Sequence, residues 1–312
     1  MSRRSATDGT SSLGTRPTEE ARAPRTGWIR RLRPPKEPVD PWRALGHRWE
    51  LERAVEGGAV PTLTVFLAGA ECHFTCVFCD LWRRTLDGAT PTGAVPAQLR
   101  QALREAGPPP AAAAIKLYNA SNFFDARAVP EDDEPALIEL LRPFARATVE
   151  CHPRLVGERC LRFAERLAGR LEVALGLETI NPIALPLLNK RMRLEDFDRA
   201  TAELLAAGIG VRAFVLLSPP YVASGEAVEW AVRSVRYAVD RGAQRVSIIP
   251  VRAGNGALDA LARSGQFVPP TLAQLESALD ECVEATGAVI TADLWEAERL
   301  VTCAACGPRR LE

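Results

Sequence analysis

Several things are scarce in this 312-residue chain, and each scarcity removes a class of function. No apolar run approaches the roughly 18 residues that cross a bilayer. The N-terminus, MSRRSATDGTSSLG, lacks the apolar stretch of about 7–15 residues that marks a secretory signal. A cytoplasmic, membrane-free protein is therefore expected, in which thiols stay reduced and clustered cysteines bind metals or do chemistry. Net charge is zero, so no overall field draws the chain to nucleic acid or to a membrane. Lysine is nearly missing, with Lys36, Lys116 and Lys190 the only examples. Together with abundant Ala and Pro this reads as codon bias, so the many arginines are no signature of RNA binding. No glycine-rich dinucleotide turn follows the first apolar run, which argues against a doubly wound nucleotide-binding sheet.

What the chain does have is alternation. Apolar residues make up 47% of it, enough for a sizeable core. Short apolar runs at 62–69, 113–119, 147–152, 171–178, 211–218 and 245–251 read as strands. Helical patterns separate them, from PAQLRQALREAG to GEAVEWAVRSVRYAVDRG, and TLAQLESALDECVEATG follows the last. Near-continuous apolar strands between helices predict a parallel sheet covered on both faces. The expected fold class is α/β, a partial (β/α)6 barrel of parallel strands with helices outside. Residues 1–38 are expected to be a disordered tail in which Arg30, Arg31 and Arg33 could touch phosphates. Asp40 as N-cap, Pro41 and a Gly57 stop predict an N-terminal helix over 39–58, packed on a core domain of 59–290. A C-terminal extension of 291–312 carries a CxxC.

Residues 71–80 read ECHFTCVFCD, with Cys72, Cys76 and Cys79 three and two residues apart. The loop follows the first strand, at the barrel end where catalytic loops gather. Three thiolates can hold a [4Fe–4S] cluster, and leaving out a fourth protein ligand keeps one iron open for a small molecule. A structural zinc site using His73 or a distant cysteine is the competing reading, but His73 lies between two ligands and would struggle to reach the same ion.

This motif, with Phe78 directly before the third cysteine, resembles that of the radical S-adenosylmethionine (SAM) enzymes. The resemblance covers about residues 60–290. Gly176-Leu177-Glu178-Thr179, with Asn189-Lys190, is similar to the elongator-like branch of that superfamily and to the archaeosine synthase group within it. The resemblance implies a [4Fe–4S] cluster and SAM as cofactors, metal ligation by Cys72, Cys76 and Cys79, and an electron donor such as flavodoxin or ferredoxin. It implies reductive cleavage of SAM to a 5′-deoxyadenosyl radical that takes hydrogen from a small-molecule or nucleoside substrate, with tRNA a candidate partner.

Other candidates sit at predicted strand ends. The family often has glycines after its second strand, near the SAM amino group. Here Tyr118-Asn119-Ala120-Ser121 stands instead, so Asn119 and Ser121 are candidate SAM contacts or simply turn caps. Glu150 and Glu178 are carboxylates at strand tips, costly to bury unless paired, and so are candidates for binding SAM or substrate. Arg252 opens the loop Arg252-Ala253-Gly254-Asn255-Gly256 and could grip a carboxylate or phosphate. Tyr221 either touches substrate or packs. Cys160 and Cys282 are expected to be buried and inert, while Cys303 and Cys306 could serve an auxiliary metal site or form a redox pair. The expectation is a hydrogen-abstracting enzyme, the alternative a non-enzymatic Fe–S or zinc protein of electron transfer or sensing.

Overall fold

The computed structural model describes residues 26–302. In chain order they form α1 (Thr26–Leu32), β1 (Gly46–Arg53), β2 (Ala59–Phe66), α2 (Ala94–Ala106), β3 (Ala114–Tyr118) and α3 (Glu134–Leu141). Next come β4 (Arg146–Cys151), α4 (Glu158–Arg166), β5 (Leu171–Glu178), α5 (Ala184–Leu187), α6 (Leu194–Ala206) and β6 (Gly210–Leu217). The last are α7 (Ala227–Asp240), β7 (Arg245–Pro250), α8 (Ala257–Arg263), α9 (Leu272–Ala285) and β8 (Val289–Ala292). All eight strands share one sheet in sequence order. β1 runs antiparallel to β2 and every later pair is parallel. The edge strands β1 and β8 do not pair with each other, so the sheet curls into a barrel left open on one side.

The six expected strands are β2 to β7, and the expected partial barrel stands. Its packing follows from the two-residue period of a strand. Leu63, Val65, Ile115, Leu117, Val149 and Val173 face the helices and are fully buried. The alternate positions face the lumen, and there the sequence departs from the branched apolar filling usual in such barrels. Glu172 of β5 accepts from Thr148 (2.9 Å), from Arg212 Nε (3.0 Å) and from Arg245 Nη1 (2.6 Å). Arg212 reaches across to Glu52 of β1 (2.8 Å), and Lys116 bonds both Glu52 (2.7 Å) and Glu50. Burial opposes ionisation of Glu52, but Arg212 and Lys116 outweigh it and bring its pKa down to about 2.

This network explains the main correction. Residues 39–58 form a turn and a strand where a helix was expected. Asp40 does accept a local hydrogen bond, but from Trp42 N (2.9 Å) in a tight turn. GHRWELER then alternates: Arg48, Glu50 and Glu52 turn toward the lumen, while Trp49 packs on the helices and donates to Ala106 O (3.0 Å). Gly57 (φ +94°) and Gly58 (φ +82°) make the hairpin to β2, so the expected helix stop is a strand turn. Long-range charge pairing overrides a local helical pattern.

The second correction is at 26–38, part of the expected disordered tail, which is ordered. Ile29 of α1 is buried in the core with Trp28 against it. The strap that follows lies along the cysteine loop. Arg33 (2.7 Å) and Lys36 (2.9 Å) clasp Glu71, and Arg33 also stacks on Trp82, 4.5 Å from the ring centre. A Cβ on Gly256 would sit 1.8 Å from Leu32 O, so that glycine is what lets the strap lie down. β8, at the boundary drawn near 290, is a seventh parallel strand too short to stand out in sequence. No described helix is long and apolar enough to cross a membrane.

Candidate active site

β2 delivers the chain to the C-terminal mouth of the barrel. Ala70 N donates to Thr90 Oγ1 (2.9 Å), and the cysteine loop begins. Neighbouring loops pin it. Val77 N donates to Leu188 O (2.9 Å), and Asn189 Nδ2 donates to Thr75 O (2.6 Å). Asn255 Nδ2 reaches both Val77 O (2.8 Å) and Cys79 O (3.2 Å), while Trp82 Nε1 donates to Cys79 O (3.1 Å). Cys72, Cys76 and Cys79 are thus held together at the mouth by the loops after β5 and β7.

All three thiols have raised pKa values, and burial is the main cause in each. Cys76 is pushed up to about 12, with Glu178 and Cys72 adding to burial and Lys190 opposing it. Cys79 is raised too, by burial first and then by Cys76 and Asp80. The sulfurs lie close enough to repel one another as thiolates, so a cation among them is what would draw off their protons. His73 turns to Asp125 (3.1 Å), which leaves the zinc reading without its nearest fourth ligand. Among the described residues no three His, Cys, Asp or Glu side chains are grouped as ligands of a metal ion. A cubane asks for less convergence than a single ion, since each thiolate meets a different iron. Three soft donors with no fourth protein ligand beside them among the described residues fit an open-cornered cluster.

The other candidates fall into two groups. Asn119 is 1% exposed, yet neither of its amide atoms has a hydrogen-bond partner, and Ser121 Oγ is likewise buried and unpaired. Glu150 faces the same space from β4, and burial lifts its pKa to about 8 despite a hydrogen bond from Asn119 N. Phe78 packs part-buried against the core. Glu178 and Arg252, by contrast, are committed to protein partners. Glu178 pairs with Lys190 (2.6 Å) inside the protein, and Arg252 pairs with Asp293 (3.0 Å). Burial pushes the Tyr221 hydroxyl up to about 12, and its backbone N donates to Gln266 O (2.8 Å). Cys160 and Cys282 are fully buried, as expected. Cys303 and Cys306 lie outside the described residues.

Sequence reasoning gave no role to the supporting residues, although Gly176 and Lys190 stand in the motif quoted for the elongator-like branch. Lys190 lies near Cys76 and Cys72. Burial works against its charge, but Glu178 and those sulfurs prevail and its pKa is raised. Gly176 makes room for that pair: a Cβ there would sit 2.2 Å from Glu178 Oε1 and 2.5 Å from Lys190 Nζ. Asn122 Nδ2 donates to Cys72 Sγ (3.1 Å). His152 stacks on Phe74, with ring centres 3.8 Å apart. Ser218 adds a further buried, unpaired hydroxyl after β6. A usable signal lies in the backbone. Ala120 (φ +52°), Glu178 (φ +68°), Ser218 (φ +56°) and Tyr221 (φ +71°) are left-handed and follow or end barrel strands, and Asn189 (φ +53°), after α5, is left-handed as well. Such conformations gather where loops are shaped for a task. Asn189, of a residue type that tolerates this backbone, is the sequence trace of one of them.

No protein-family model matches the chain. The archaeosine synthase subunit beta of Methanosarcina acetivorans is 27% identical over 252 residues, or 77% of this chain and 70% of that one. An uncharacterised protein of Methanocaldococcus jannaschii is 24% identical over 173 residues, covering 54% of this chain and 47% of its own length. Among solved structures, Elp3 of Methanocaldococcus infernus aligns with a TM-score of 0.51 at 16% identity, over 69% of this chain and 56% of that one. Spore photoproduct lyase, solved with AdoMet and a dinucleoside spore photoproduct bound, aligns with a TM-score of 0.51 at 12% identity, over 72% and 75%. The chain thus spans little more than half of Elp3 and about half of the M. jannaschii protein. These structures share the fold. The resemblance to radical SAM enzymes read from the cysteine motif is borne out.

Proposed function

We propose that this chain is a radical SAM enzyme, with Cys72, Cys76 and Cys79 as the protein ligands of a [4Fe–4S] cluster and SAM on its open iron. The observation that carries this reading is the loop itself: three half-buried thiols held at the barrel mouth, with His73 turned away to Asp125. When bound, cluster and SAM supply a 5′-deoxyadenosyl radical by reductive cleavage of the sulfonium. The chain's own residues do the rest. Asn119 and Ser121 offer buried, unpaired polar atoms to the polar groups of SAM, and Glu150 offers a carboxylate to its ammonium or ribose. Phe78 and the strap of residues 26–38 keep water from the loop. Glu178 holds Lys190 beside the sulfurs, and Arg252 anchors the loop after β7 through Asp293.

For substrate we infer a nucleoside, free or within tRNA, in a cytoplasmic modification reaction fed by flavodoxin or ferredoxin. Support comes from the relative named for archaeosine synthesis. Anaerobic purification, iron and sulfide analysis, and reduction with SAM test the cofactor reading. Release of 5′-deoxyadenosine by the wild type and its loss in Cys76→Ala are expected. A stable four-ligand zinc site with no SAM turnover would establish the non-enzymatic alternative. Nucleoside profiles of tRNA from a deletion strain test the substrate class, and an unchanged profile rejects it.

A further inference from the structure

Resting on that reading, we infer that Asn122 is a positioning residue that sets the reduction potential of the cluster through Cys72. Asn122 is 4% exposed and sits in the loop after β3. Its Nδ2 donates to Cys72 Sγ at 3.1 Å. The amide cannot be turned around, because Oδ1 accepts the backbone N–H of His152 at 2.7 Å. A flip would set two donors face to face and an oxygen against sulfur.

His152 is fixed in turn. Its Nδ1 accepts from Arg154 N (3.1 Å), so the ring hydrogen is on Nε2, which donates to Lys190 O (3.0 Å). Burial with the adjacent Lys190 charge drives the imidazole's pKa down to about 2, so the ring stays neutral and in that tautomer. Phe74, two residues after Cys72, stacks on it with the ring planes 9° apart. Both ends of the Cys72–Asn122 contact are therefore held by groups outside the cysteine loop.

A hydrogen bond to a ligand sulfur stabilises the electron-rich form of a cluster, and such bonds, like other outer contacts, tune potential. Nothing else in Asn122's position asks for an amide, since an acceptor alone would satisfy His152 N. Asp offers that acceptor at the same size but presents oxygen to the sulfur. Leu removes both bonds.

The experiment is an EPR-monitored redox titration of cluster-loaded, full-length protein, with iron and sulfide content measured on each sample. The variants are Asn122→Asp, Asn122→Leu and, as control, Tyr237→Phe, which loses a hydrogen bond to Asp198 between outer helices. Midpoint potentials should fall in the order wild type, Asn122→Leu, Asn122→Asp, at wild-type cluster content, with Tyr237→Phe at the wild-type value. Potentials of the loaded Asn122 variants indistinguishable from wild type would overturn the inference. So would failure of both Asn122 variants, but not of Tyr237→Phe, to hold a cluster, since Asn122 would then be a structural prop. A wild type that takes up no cluster at all refutes the proposed function itself, and is recognised by its iron content.

Discussion

The two halves of the barrel interior bury polar groups to opposite ends. In the lower lumen nearly every charge has its opposite: Glu172 takes Thr148, Arg212 and Arg245, and Glu52 takes Arg212 and Lys116. Even there Arg146 Nε and two nitrogens of Arg245 lack a partner, but the charge of those guanidiniums faces Glu172. At the mouth Asn119 has no partner at either amide atom, Ser121 and Ser218 have none, and three thiols crowd together. A protein tolerates unpaired buried polar atoms at a cost of about 1–3 kcal/mol each, so their concentration at one end marks where something else is meant to bind. The lower half holds the open sheet in shape, and the upper half is shaped for chemistry.

The comparison breaks most visibly at Glu172. Glu172→Ala leaves Arg212, Arg245 and Arg146 around an empty place and should cost about 3–5 kcal/mol in urea unfolding. A cost below about 1 kcal/mol would mean that the lumen network is ornamental. Next, the halves should respond to pH with opposite sign. Glu52 is held at about 2, below its ordinary 4.5, so its stabilisation is full above 4.5 and lost as pH falls through 2. The fraction contributed is on the order of 3 kcal/mol, and Glu52→Gln should flatten that acid limb. Glu150 is raised from 4.5 to about 8, so its neutral form favours the fold below 4.5 and that contribution is lost as pH rises through 8. Glu150→Gln should therefore gain on the wild type steadily between those values, and parallel pH–stability curves would contradict the assignment. A smaller effect is expected at Gly256, left-handed at φ +86° under Leu32 O. Gly256→Ala should loosen residues 26–38 by about 1–3 kcal/mol in hydrogen exchange, while β2 to β7 keep their protection. The smallest change in stability belongs to Asn119→Ala, within about 1 kcal/mol of wild type by thermal unfolding, together with a loss of SAM affinity.

Legibility in the sequence follows how local the cause is. β2 to β7 and their helices announce themselves because a strand between two helices is apolar throughout. The cysteine loop was legible because all three sulfurs lie within one short segment. β1 was not, because its charged face makes sense only with Lys116, 64 residues from Glu52, and Arg212, 160 residues away. The strap went unread because Trp28 and Ile29 are two apolar residues among arginines, and only the loop they cover gives them a purpose. Among the site residues, Asn119 and Glu150 could be nominated from their places at strand ends. Asn122 could not, since its contact with Cys72 spans 50 residues and leaves no pattern.

The strap also sets a timetable. The Gly256 surface on which Leu32 rests is translated more than two hundred residues after residues 26–38 themselves. Glu71, which Arg33 and Lys36 clasp, directly precedes the first of the three thiols. Between those two points of synthesis the chain carries the thiols without their completed cover, and the cover closes only once the Gly256 turn has been made.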